Sequence, residues 1–125
     1  MSHTSLVQAN ISDLESVQEA CKELNLSIRK GGIVKSYYND KTADYVISIQ
    51  GCPYEVGLVW NNKEKKYNLL YDSYGGHIEN KLGKNCGKLV QSAAFHKVAK
   101  AAKLKGFFVS KKIEGSKIQC VLTMR

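Results

Sequence analysis

Gly75-Gly76-His77, followed by Lys81, Lys84 and Lys88, is the stretch of this sequence best suited to chemistry. Paired glycines let successive backbone N–H groups turn toward one point, and cations around such a nest can hold a phosphate. Gly83-Lys84-Asn85-Cys86-Gly87-Lys88, running into a helix, repeats that logic, because the first turn of a helix leaves N–H groups unpaired. The spacing G-x-x-x-x-G-K-[ST] is absent, which disfavours ordinary NTPase chemistry. The competing reading is a plain surface connection with scattered lysines.

Ser92, His96, Lys100 and Lys103 follow at 4-4-3 spacing, which places them on one face of a helix. A histidine among lysines tends to stay neutral near pH 7 and could contact a phosphate or move a proton. Tyr74 and Trp60, both at strand ends, are the aromatics best placed to stack on a base. Tyrosine and tryptophan pairs also stabilise sheets without any ligand. His3, Asp72, His77 and His96 could make an acid–base or metal cluster only if the fold gathers them. No HExxH, nucleophile elbow or paired catalytic carboxylates occur. Cys21, Cys52, Cys86 and Cys120 show no C-x-x-C spacing, so free thiols and no structural metal or cofactor are expected.

Charge sharpens this picture. Residues 1–79 hold eight Lys/Arg and ten Asp/Glu, a net of −2, whereas 80–125 hold eleven Lys/Arg and one acid, Glu114, a net of +10. So local an excess attracts polyanions. Only Arg29 and Arg125 are arginines. Lysine acts as a point charge more than as a geometric reader, so phosphate attraction is favoured over base-specific recognition.

The elements that must position these groups follow from periodicity. Val7, Ala9 and Ile11 alternate in a strand over 4–11. Ser12 opens an S-x-x-E capping box with Glu15. Leu14, Val17, Cys21 and Leu24 give a helix over 13–24 with Asn25 as its stop. From 26 to 72 the period is two. Turns at Arg29–Gly32, Asn39–Thr42, Gly51–Pro53 and Asn61–Glu64 divide an antiparallel meander. Residues 72–87 read as a Gly-rich loop with a helical turn near Ile78–Leu82. Residues 88–104 read as a helix whose Val90, Ala94, Val98 and Ala101 face the sheet, leaving the Ser92–Lys103 stripe outside. Gly106 suits its C-terminus, and two strands over 107–124 finish the chain. The expected fold is α+β, two helices packed on one face of a curved antiparallel sheet in the order β-α-β-β-β-β-β-α-β-β. The length suits one domain, 1–125. No apolar run is long enough to span a bilayer, and the N-terminus lacks the features of a signal peptide. The expected location is cytoplasmic, the plastid stroma and an infected cell's cytoplasm included.

Several stretches together resemble the Ycf35-like family, an uncharacterised group encoded in plastid and cyanobacterial genomes and in some phages. They are Met1-Ser2-His3-Thr4-Ser5, Tyr54–Val59, Tyr67–Asp72, Ala94-Phe95-His96-Lys97-Val98 and Gly106-Phe107, in that order. Where that family has an Asp-Trp-Trp-Gly-like stretch, this chain has Asp72-Ser73-Tyr74-Gly75. The resemblance implies a common fold, adds interest to His3, Asp72 and His96, and carries no activity with it.

These readings converge on a non-enzymatic binding protein for a phosphorylated, nucleotide-like ligand or a nucleic-acid backbone, with sequestration as a special case. Lys81, Lys84, Lys88, Lys100 and Lys103 would supply charge, Gly75 and Gly76 backbone approach, His77, Ser92 and His96 polar contacts, and Tyr74 or Trp60 stacking. One alternative is an enzyme acting on a phosphorylated substrate, with His96 as acid or base beside His3 or Asp72. Another is an assembly or ribosome-associated subunit docking through its basic face. No membrane partner is expected, and a homo-oligomer is compatible with the sequence.

Overall fold

The computed structural model describes residues 4–37, 41–115 and 117–124. The chain runs β1 (Thr4–Ile11), α1 (Leu14–Glu23), β2 (Ser27–Val34), β3 (Lys41–Ser48), β4 (Glu55–Asn61), β5 (Lys66–Asp72), α2 (His77–Leu82), α3 (Gly87–Leu104), β6 (Phe107–Glu114) and β7 (Lys117–Met124). Single 3-10 turns, Tyr74–Gly76 and Lys84–Cys86, flank α2. Strands β1 to β5 form one antiparallel sheet in the order β1-β5-β4-β3-β2, and β6 pairs with β7 in a separate ribbon. The α+β class with helices on an antiparallel sheet is as expected.

Alternation in the meander sets the core. Ile47, Val56, Leu58, Leu69 and Tyr71 share one sheet face, where they meet Val17, Ala20 and Cys21 of α1. Ile78 and Leu82 of α2 and Leu89 and Ala93 of α3 complete the cluster. Burying side chains of this size contributes about 1.5–3 kcal/mol each. The helix α1 starts one residue later than a capping box at Ser12 requires. Asp13 is the N-cap, its Oδ1 accepting from the Glu15 N–H at 3.0 Å and its Oδ2 from the Ser16 hydroxyl at 2.6 Å. Asn25, at φ 58°, ends the helix as expected.

Two expectations need correcting. First, Gly31-Gly32 is not a turn. β2 continues through it, and the register with β3 is unbroken from Ser27↔Ser48 to Val34↔Lys41. There is therefore one strand fewer than the expected order. The glycines take φ values of 67° and 112°, conformations that coil a strand sharply and that other residues rarely adopt. The coil carries the chain beyond β2 across the back of the sheet. Val34 is buried over β4, where a Cβ on Gly57 would lie 2.7 Å from Val34 Cγ2 and 2.8 Å from Ala43 Cβ. Gly57 is the gap that lets this arm lie close.

Second, α3 presents the opposite face to the core. Leu89, Ser92, Ala93, Ala99 and Ala102 are buried, while Val98 is 48% exposed and Ala94 and Ala101 lie at the surface. Alanines all around the helix leave no sharp apolar stripe, and the face that turns inward is the one carrying Leu89 and Ala93. The segment 72–87 also holds more structure than a loop. Ile78 and Leu82, one helical turn apart, anchor α2 in the core between Gly76 and Gly83, both at positive φ.

Candidate functional site: an aromatic pair and a basic helical turn

Two buried carboxylates stand side by side where β4 begins and β5 ends, and both hold the arm that follows β2. Glu55 accepts from the Lys35 N–H at 3.1 Å and binds Arg29 through both oxygens, at 2.8 and 3.1 Å. The Ser48 hydroxyl adds a bond of 2.6 Å. Arg29 leads the causes that pull the Glu55 carboxyl down to about 2. Asp72, 1% exposed, accepts from the Tyr37 N–H at 2.7 Å and from the Tyr74 N–H at 2.9 Å. One side chain thus fixes the backbone at Tyr37 and at Tyr74, 37 positions apart in the sequence, and it brings their aromatic rings together. Tyr37 and Tyr74 stack with centroids 4.2 Å apart and planes 19° from parallel. They remain 47% and 40% exposed.

The glycines behind Tyr74 serve this geometry. Gly75 has φ 70°, and a Cβ there would lie 2.9 Å from His77 Nε2. His77 meets the Tyr54 ring edge-on at 5.4 Å. Desolvation raises the Tyr54 pKa, and the charge of Asp72 adds to it. Lys81 on α2 and Lys84 after it are exposed, and neither has a carboxylate partner among the described residues.

The stripe on α3 has a different setting. It points toward α1, whose Glu15, Glu19 and Glu23 recur every fourth residue. Lys100 pairs with Glu15, which raises the lysine's pKa. The Ser92 hydroxyl donates to Glu23 Oε2, and Lys111 of β6 bonds Glu23 Oε1. His96 Nε2 lies 3.4 Å from Glu23 Oε2 but without hydrogen-bond geometry, and it is buried with no hydrogen-bond partner. Lys111 also sits 4.6 Å from the centroid of the Phe95 ring. A groove of about 320 Å³, bordered by Glu15, Glu19, His96, Lys100 and Lys103, runs along the two helices. The stripe is thus an inter-helix seam in which Lys100 is paired with Glu15, while Lys103 has no carboxylate partner among the described residues.

The expected site residues therefore fall into separate groups. Tyr74, Gly75, Gly76, His77 and Lys81 stay together at the C-terminal end of β5, and Lys84 and Lys88 lie at the α2–α3 junction. Ser92, His96, Lys100 and Lys103 belong to the α1–α3 seam. Trp60 pairs across strands with Tyr67, rings 4.8 Å apart, at the opposite end of β5 from Asp72. Asp72 lies five residue steps along the strand from Tyr67, about 17 Å, so Trp60 and Tyr74 do not share a ligand face. His3 lies outside the described residues. Asp72 spends both oxygens on backbone N–H groups, and none of the contacts of His96 involves it. Among the described residues no group of three His, Cys, Asp or Glu is placed to hold a metal ion. No helix of the described residues is long and apolar enough to cross a membrane.

Sequence reasoning missed Tyr37 as a partner of Tyr74, and Glu23 and Lys111 as partners of the α3 stripe. The 4-4 spacing of the acids on α1 was the signal for Glu23. No local signal marks Tyr37.

The fold and these side chains define an α+β protein with a half-exposed aromatic pair held by Asp72 and a helix pair joined by polar contacts. The chain belongs to the family described as protein of unknown function (DUF1257), whose model matches residues 20–122, from late in α1 to β7. It is also similar to the uncharacterized protein ycf35 of Guillardia theta, at 29% identity over 108 residues, covering 86% of this chain and 83% of that relative. No solved structure matches it significantly.

Proposed function

We propose that the protein binds, without turnover, a nucleotide-bearing ligand on the surface formed by Tyr37, Tyr74 and α2. The observation that carries this reading is the half-exposed Tyr37–Tyr74 stack pinned by Asp72. A base gains about 1–3 kcal/mol by stacking on an aromatic ring, and a ring held by backbone bonds loses little freedom on binding. Lys81 lies five residues beyond Gly76 along α2, about 8 Å of helix rise. From there its ammonium, with that of Lys84, favours the phosphate of a stacked nucleotide. The lysines of the α1–α3 seam enter this reading only weakly, because Lys100 and Lys111 already have carboxylate partners.

Calorimetry with a panel of nucleoside mono- and diphosphates and with a short single-stranded oligonucleotide tests the reading. Binding should fall at least about fivefold in Tyr74→Ala, the stacking increment of one base. It should also fall in Lys81→Glu/Lys84→Glu. For the oligonucleotide the affinity should drop steeply with salt, and for a single nucleotide only mildly. The ligand should be recovered chemically unchanged. Absence of binding across the panel, or binding indifferent to both variants, overturns the reading.

A further inference from the structure

A second concave surface lies where the end of α1 meets the start of α3 and β6. The end of α1, the first turns of α3 and the strand β6 enclose a cleft of about 500 Å³, within the range that holds small molecules. Its walls are mainly apolar: Leu24 on one side and Ile113, 67% exposed, on the other. Its polar groups are Lys88, Gln91, Ser92, Lys111 and Glu23.

The charges there do not balance. Glu23 is occupied, since it accepts from Ser92 and from Lys111 and has His96 Nε2 at 3.4 Å. Lys111 keeps N–H donors beyond the one given to Glu23, because an ammonium carries three. Lys88 is exposed and has no carboxylate partner among the described residues. The uncompensated charge in the cleft is therefore positive, beside the apolar surface of Leu24 and Ile113. An anionic head fits at Lys88 and Gln91, and an apolar body fits between Leu24 and Ile113. A cationic head would meet Lys88 unfavourably and find Glu23 already used.

We propose that this cleft is a binding site for a small amphipathic anion, an aliphatic or aromatic body ending in a carboxylate or phosphate. It is separate from the Tyr37–Tyr74 surface and does not depend on it.

Amide NMR of the full chain, titrated with octyl phosphate, octanoate, octylammonium and octanol, tests the proposal. At least one of the two anions should give saturable shifts at residues 87–92 and 111–115, with octylammonium and octanol at least about fivefold weaker, the effect of about 1 kcal/mol from one charge contact. Lys88→Glu should weaken anion binding by a similar factor. Ile113→Asp should weaken octanoate and octyl phosphate alike. Both residues are exposed, so the amide spectrum of each variant reports directly that the fold is kept. Lys81→Glu/Lys84→Glu should leave these shifts intact, which separates the cleft from the nucleotide surface. Equal affinity for all four probes, shifts centred elsewhere, or no saturable shifts would overturn the proposal.

Discussion

The backbone N–H of Tyr37 donates to Asp72 Oδ2 at 2.7 Å, joining the arm beyond β2 to the end of β5. The second oxygen of Asp72 takes the Tyr74 N–H. With the carboxylate 1% exposed, its removal leaves two donors to find water in a site built without it. Asp72→Ala should cost about 3–6 kcal/mol of stability in urea denaturation, the sum expected for two bonds to a buried charged acceptor. Tyr37 and Tyr74 should lose their mutual ring-current shifts in NMR. Unchanged stability and unchanged shifts would refute the anchoring role.

Glu55 predicts a pH dependence. Its carboxyl is held at about 2 in the fold, below its ordinary value of 4.5, first by Arg29. A depressed carboxylate contributes stability that is present above the unfolded pKa and lost as pH falls through the folded one. The loss should therefore develop as pH falls from about 5 through 2, and amount to about 3 kcal/mol from this group when complete. Glu55→Gln should be less stable at pH 7 and should flatten the stability profile across that window, as read from urea midpoints at successive pH values.

Gly57→Ala places a methyl against Val34 and Ala43, whose nearest atoms lie 2.7 and 2.8 Å from it. Overpacking of this kind costs about 1–3 kcal/mol. Val34→Ala should recover part of that loss when combined with it, although Val34→Ala alone is destabilising. Additive losses in the double-mutant cycle would show that the arm does not press on Gly57.

The thiols should divide by burial. Desolvation pushes Cys21 up to about 11 and Cys86 up to about 12, whereas Cys52 and Cys120 are half-buried. The thiolate is the reactive form. A disulfide reagent at pH 8 should modify Cys52 and Cys120 first, with Cys21 and Cys86 reacting only as the protein unfolds. Four equal rates would contradict that burial.

Local patterns made much of this fold legible. The strands β3 to β5 and the helix α1 carry their period within a few residues, and Asn25 marks its own stop. What escaped rests on contacts distant in sequence. Gly31-Gly32 reads locally as a turn, yet its partners on β3 hold it in a strand that coils. The arm lies where it does because Asp72 receives an N–H donor from 35 residues earlier. The face of α3 was misread because alanine at positions 93, 94, 99, 101 and 102 supports burial on almost any side. Its rotation puts Leu89 and Ala93 in the core and sets Ser92 and Lys100 against Glu23 and Glu15 on another helix. The candidate site was legible as a segment, from Tyr74 to Lys81, and illegible as a surface, since Tyr37 arrives from elsewhere.

The ribbon of β6 and β7 shares no strand pairing with the five-stranded sheet among the described residues, and it packs on α3. Its attachment is therefore made by side chains such as Lys111 on Glu23 rather than by a shared ladder. Force applied to the C-terminal strand would be borne in series by ribbon, helix and sheet, with the side-chain joint as the weakest link. The ribbon amides should accordingly exchange hydrogen sooner than those of β4 and β5, which are laddered on both sides.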